Sequence, residues 1–439
     1  MSIPPVIPHR VPFELVTLRN GLTVILHRDG SAPLAAVVVM YHVGSKNEQP
    51  GRTGFAHLFE HIMFKGSAHV GDGEHFRLLQ EVGATVNGST SEDRTNYYEV
   101  VPSTHLELAL FLEADRMRYL LPSLTPEKLE NQKDVVKNER RQHYDNRPYG
   151  RTGETIAGAL YPAAHPYHWP VIGSMDDISA ATLEDVKTFF QSYYTPHNAC
   201  LAIVGEFDTA MTMGWIEKYF GGFSDASPVT QPGPPAVALA EEKRLLLEDR
   251  VLLPRLTMAW PGARINTDDD AVLDLLTTIL SVSRNSRLHR SLVYRDEIAQ
   301  SVSAYHDAME LAGTLIIEAT AKPGRRLGDI QEAIDRELSS IALDGVTEDE
   351  MEGALNFTEM HFVNGRVTAL QKADGLAAYY TLTGDPDSFS THFTRFRSVS
   401  ADAVRQRARE IVQTPRILLS VVPAGSRSLA VPGSHAEGT

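Results

Sequence analysis

His57, Glu60 and His61 stand in the order H-x-x-E-H inside the apolar run Gly54–Phe64. On a helix His57 and His61 lie one turn apart, and Glu60 shares their face. Two neutral imidazoles and a carboxylate are a ligand set that zinc accepts while leaving a position open for water. The pattern is the reverse of H-E-x-x-H, the helical motif of zinc-dependent hydrolysis. A five-residue match is short, so the elements around it have to support the same chemistry.

The run must first be delivered to a stable core. Phe13–His27 reads as a hairpin around the turn Asn20-Gly21, and Leu34–Val43 as a nearly continuous apolar strand. The H-x-x-E-H helix follows, then a helix over Gly73–Val82. Gly83–Ser91 is a strand of small and polar residues, paired with Tyr97–Val101. Helices are expected over Leu106–Leu120 and Thr125–Tyr144, the latter opened by a capping threonine and a proline. Several acids lie on that last helix, and the residue pattern alone does not choose among them. A helix Leu183–Tyr193, a strand Ala199–Val204 and a helix Asp208–Tyr219 complete the half.

Ser224–Val237 is rich in proline and reads as a linker. Beyond it the order repeats: strand Arg255–Trp260, helix Ala271–Val282, strands Ala299–Tyr305 and Gly313–Thr320, helices Leu327–Leu343 and Thr347–Asn364, strand Arg416–Val422. The expected fold class is α+β, with two homologous-looking halves, each a mostly antiparallel sheet packed with helices. The expected divisions are 1–223, a linker 224–243, 244–424, and a mobile tail 425–439. The second half has no H-x-x-E-H, so one metal per chain is expected.

Composition narrows the class. The 439 residues are 42% hydrophobic and 22% charged, as in globular proteins, and too many for one core. A net charge of −15 argues against nucleic acid or an anionic membrane as partner. The single cysteine, Cys200, excludes an intrachain disulfide and a thiol-rich metal site, and its neighbours read as a buried strand. No apolar run approaches the ~20 residues of a membrane span. The first ten residues lack a secretory apolar segment, which gives a cytoplasmic expectation, with the periplasm as alternative if a leader was removed. There is no glycine-rich phosphate loop. His165 and His168 flank Pro166 in a loop and read as packing and hydrogen-bonding residues rather than ligands, and Arg140-Arg141 as a solvated helix face or ion-pair site.

Together these stretches resemble the pitrilysin-type or insulinase-type zinc peptidases (family M16), in the branch that includes mitochondrial processing peptidase subunits and many bacterial peptidases. The resemblance spans nearly the whole chain. It rests on Leu18-x-Asn20-Gly21-Leu22, Gly54-x-x-His57-x-x-Glu60-His61-x-x-Phe64-x-Gly66 and Gly83-Ala84-x-x-Asn87-x-x-Thr90. It continues in Val135-Val136-x-x-Glu139 and His165-Pro166-Tyr167-x-x-Pro170-Val171-Ile172-Gly173. It implies that His57, His61 and Glu139 are the zinc ligands and that Glu60 is the general base rather than a ligand. It also implies that Asn87, Gly88 and Ser89 form the edge on which an extended peptide adds as a strand.

One departure matters. The family's second half usually carries an Arg and, seven positions later, a Tyr that hold the substrate. Here those positions are Val293 and Gln300, while Tyr294 and Arg295 stand at the wrong offset. The expectation is a zinc endopeptidase subunit paired with a homologous partner that supplies the Arg/Tyr pair, with a homodimer as alternative. A non-hydrolytic scaffold subunit is the competing function. A milder departure is Gln132, where some relatives have glutamate.

Overall fold

The computed structural model describes residues 10–223, 228–233 and 235–436. The chain divides into two compact units that exchange segments. One comprises residues 1–140, 169–232 and 362–391, and the other 141–168, 233–361 and 392–439.

In the first unit six strands form one sheet: β1 (Glu14–Thr17), β2 (Thr23–Arg28), β3 (Leu34–Tyr41), β4 (Thr85–Thr90), β5 (Thr95–Pro102) and β6 (Ala199–Gly205), in the order β1-β2-β6-β3-β5-β4. All neighbours are antiparallel except β2 and β6. β3 and β6 are buried on both faces, which explains their unbroken apolar sequences, Cys200 included. One face is covered by the helix Ala369–Thr383, whose Ala373, Leu376 and Ala377 pack with Val38, Met40, Ala202 and Val204. The helices that carry the site are α1 (Phe55–Ile62), α2 (Glu74–Glu81), α3 (Leu106–Ser123) and α4 (Pro126–Arg140).

In the second unit β7 (Lys243–Asp249), β8 (Arg255–Gly262), β9 (Ala299–Ala308), β10 (Gly313–Ala321), β11 (Ile417–Pro423) and β12 (His435–Ala436) follow the order β12-β7-β11-β8-β10-β9. With β12 in place of β1, this repeats the strand order of the first sheet, including the parallel pair, β7 with β11, next to β8. The edge differs, because β12 runs parallel to β7 where β1 runs antiparallel to β2. The α+β class and the two like halves expected from the sequence are the observed architecture.

The boundaries differ from the expected ones. The helix Thr152–Leu160 packs with Ile417, Leu419 and Val421 of the second unit, through Ile156 and Leu160. The helix Ala369–Thr383 conversely serves the first. The continuous divisions 1–223 and 244–424 therefore do not describe the compact units. The segment expected as a mobile tail from 425 is bonded as far as residue 436. Gly425 N–H donates to Glu248, Val431 N–H to Ser420, and β12 pairs with β7. Residues 1–9, 224–227, 234 and 437–439, within the expected start, linker and tail, lie outside the described residues. The helix expected to reach Tyr144 is α-helical to Arg140 and widens into a π turn over Arg141–Asp145. Among the described residues no helix is long and apolar enough to cross a membrane.

Candidate active site

α1 is short, and its position is set by burial on one side and by its N-terminus. Phe55, Leu58, Phe59 and Ile62 are buried, and the Phe59 ring stacks on Phe189 and Phe190 of the helix Leu183–Tyr193. The residue before α1, Gly54, has φ +86° and no capping side chain of its own. The cap comes from Glu48, whose carboxylate accepts the amide N–H groups of Gly54 (2.9 Å) and Ala56 (2.8 Å). Burial pushes the Glu48 carboxyl up to about 8, against the pull of those amides. Because both oxygens accept an N–H at the positive end of a helix, we assign the ionised form.

With α1 so held, His57 and His61 present their Nε2 atoms 3.3 Å apart. Glu139, in the last turn of α4, places Oε2 3.5 Å from His57 Nε2 and 3.3 Å from His61 Nε2. The three ligand-type atoms lie within 4.8 Å of one another. The next residue, Arg140, donates to the carbonyl of Gly173 (2.7 Å), and Gly173 in turn lies against Gly54. A Cβ on Gly173 would sit 2.4 Å from the Gly54 backbone, so glycine is required where the two meet. Arg140 is thus a bonded position beside Glu139 rather than a purely solvated face.

These groups fit a divalent cation. Burial, then the neighbouring His61, pushes the His57 imidazole down to about 3, so it is neutral and able to coordinate at any ordinary pH. Its Nδ1 atom is buried and has no hydrogen-bond partner among the described residues.

Glu60 stands beside that trio, within electrostatic reach of His61 and Glu139, and its carboxylate bonds to β4. Its Oε2 accepts the Thr90 hydroxyl proton at 2.6 Å, and burial raises its pKa against the lowering effect of that bond. Among the described residues β4 pairs only with β5, so its other edge carries no strand. Asn87, Gly88 and Ser89 lie in the middle of it. The Asn87 carboxamide accepts the Gly88 N–H (2.9 Å), and the Ser89 hydroxyl donates to Asn96 (2.7 Å). Arg94 donates to the Ser89 carbonyl at 2.9 Å. A Cβ on Gly88 would lie 3.2 Å from Glu60 Cγ, so glycine here leaves room for the acid rather than for a turn.

In the second unit, Val293 lies partly buried in the π turn His289–Arg295, and Gln300 is exposed near the start of β9. Arg295 is bound by Asp296 (2.9 Å) and the Ser291 hydroxyl (2.6 Å). His165 stacks on Tyr161 and accepts the Tyr167 N–H, and His168 pairs with the Tyr161 carbonyl, as packing residues do. Gln132 is buried. Thr90 and Glu48 were the residues that sequence reasoning did not single out. Thr90 belonged to a recognised pattern without a role, and a cap seven residues before its helix carries no local signal.

Comparison with known proteins points one way. The family description "Insulinase (Peptidase family M16)" matches residues 23–161, and "Peptidase M16 inactive domain" matches residues 180–357. A zinc protease of Helicobacter pylori is 28% identical over 400 residues, covering 89% of this chain and 88% of that one. A probable mitochondrial-processing peptidase subunit beta of Arabidopsis thaliana is 24% identical over 427 residues, 93% of this chain and 78% of that one. The crystal structure of a protease from Helicobacter pylori superposes with a TM-score of 0.86 at 26% identity, covering 94% of this chain and all of that one.

Proposed function

The chain belongs to the insulinase family of peptidases, family M16, and on that premise we propose that it is the catalytic subunit of a zinc-dependent endopeptidase acting on unfolded peptides. The observation that carries this reading is the convergence of His57, His61 and Glu139 within 4.8 Å, with Glu60 beside them but hydrogen-bonded elsewhere. His57, His61 and Glu139 would hold one zinc ion per chain. When bound, zinc lowers the pKa of a water toward ~7 and polarises a carbonyl oxygen.

The protein's own groups supply the rest. Glu60 accepts the proton of the attacking water and returns it to the leaving amine. Burial raises the pKa of its carboxyl, which makes the carboxylate a stronger proton acceptor than an exposed one. The open edge of β4 takes the substrate as an added strand, held by backbone hydrogen bonds and little side-chain selection. Asn87, Gly88 and Ser89 form that seat, and a docking strand replaces the Asn87 carboxamide at the Gly88 N–H.

We further propose a homologous partner subunit that carries the Arg/Tyr pair missing at Val293 and Gln300. Arg295, at the wrong offset, is engaged by Asp296 and Ser291 instead. A homodimer is the alternative assembly. The competing function, a scaffold without hydrolysis, is favoured by the same missing pair.

The test is co-purification from the native source, followed by zinc analysis and cleavage of an unstructured peptide. The proposal expects about one zinc per chain and faster cleavage by the assembly than by the chain alone. Equal rates would contradict the partner. No zinc after zinc-replete purification would contradict the peptidase and support the scaffold.

A further inference from the structure

We propose that Thr90 is a positioning residue, whose hydroxyl aims the Glu60 carboxylate and so ties the base to the strand edge on which the peptide docks. The inference rests on the reading of Glu60 as base.

Three observations support it. The Thr90 hydroxyl, 2.6 Å from Oε2, is the one hydrogen-bond partner of the Glu60 carboxylate among the described residues. A glutamate has three rotatable bonds, and on an α1 held by Glu48 at its start these bonds are what remains to be fixed. Gly88 leaves the space that the Glu60 stem occupies, since an added carbon there would meet Glu60 Cγ at 3.2 Å. Gly88 and Thr90, two apart on a strand, share the face turned toward α1. One residue of β4 thus makes room for the Glu60 stem and another bonds its oxygen.

The same two residues lie at the open edge. Ser91 N–H bonds to the Arg94 carbonyl, which closes the β4–β5 hairpin. In an antiparallel ladder, hydrogen-bonded pairs alternate with pairs whose backbone groups point away. Counting back from Ser91 and Arg94, Ser89 and Asn87 bond inward, while Thr90 and Gly88 turn their N–H and C=O to the edge. A peptide strand that bonds to those groups fixes the backbone of the residue whose side chain holds the base. Docking and orientation of the acid are therefore one event.

The experiment compares full-length wild type with Thr90→Val and Thr90→Ser, each loaded with zinc and with any partner the wild type needs. Valine keeps the shape and strand propensity of threonine and removes only the hydroxyl. For Thr90→Val we expect unchanged zinc content, an unchanged KM, and a kcat at least about tenfold lower, within the range by which acid–base groups contribute. Thr90→Ser is expected to restore most of the rate. Crystal structures of the zinc-loaded wild type and Thr90→Val give a readout free of activity: the carboxylate is expected in one conformer in the former and displaced in the latter. A Thr90→Val kcat within twofold of wild type, or an unmoved Glu60 conformer in that variant, would overturn the inference. A wild type that holds zinc but cleaves nothing would contradict the peptidase reading, and the crystallographic comparison would then decide the Thr90 inference separately.

Discussion

His61 Nε2 lies 3.3 Å from Glu139 Oε2, although the two residues sit on α1 and on the last turn of α4. That approach turns a pair of helix histidines into a three-sided site. His57→Ala, His61→Ala and Glu139→Gln should each lower zinc affinity by more than the 10- to 100-fold (roughly) typical of losing an outer-shell partner. Anomalous diffraction at the zinc edge on wild-type crystals should show one peak, between these three side chains. A peak instead at Asp270, Asp274 and His306, which also lie close together, would contradict the assignment.

Gly88→Ala tests the seat from the other side. The new methyl would lie 3.2 Å from Glu60 Cγ, 3.2 Å from Tyr97 Cδ1 and 3.3 Å from the Asn96 carbonyl oxygen. Overpacking of this kind costs about 1–3 kcal/mol. The expected result is a modest loss of stability in urea, retained zinc and a kcat lowered more than KM is raised. Wild-type kcat would show that the space beside Glu60 is not needed.

Acid stability should carry a mark of the Lys372–Asp29 ion pair in the first unit. The hydrogen bond from Lys372, then those from Ser31, hold the Asp29 carboxyl well below its ordinary value of 3.8. The folded pKa is the lower one, so the contribution is present above that value and is lost as pH falls below it. Lys372→Met should therefore destabilise the protein at pH 7, by about 1 kcal/mol for this partly buried pair, and by less near pH 3. Urea unfolding at the two pH values measures this, and an equal loss at both would contradict it.

Much of this was legible in the sequence because it is periodic. H-x-x-E-H needs only the helical repeat to bring its side chains to one face, and alternation with the Asn20-Gly21 turn gives the hairpin. The continuous apolar runs of β3 and β6 likewise announce two-sided burial. Glu139 was different: Glu127, Glu130 and Asp134 lie on the same helix, and only a tertiary contact, or a family pattern, selects among them. Gly88 was read as small for the sake of a substrate strand, whereas its nearest constraint is the Glu60 stem, invisible without the approach of α1. Periodicity shows that Ala369–Thr383 and Thr152–Leu160 are helices but not which sheet each covers, so the exchange between units was missed. The strand His435–Ala436 is too short to carry a pattern and exists because β7 offers an edge.

The central claim is that Glu60 works as the base beside a zinc ion held by His57, His61 and Glu139. Hydrolysis of an unstructured peptide by the zinc-loaded assembly, wild type against Glu60→Gln at equal zinc content, tests it most directly. The account expects cleavage by wild type and a rate about 10²- to 10⁴-fold lower for Glu60→Gln. Cleavage by the Glu60→Gln assembly at the wild-type rate would contradict it.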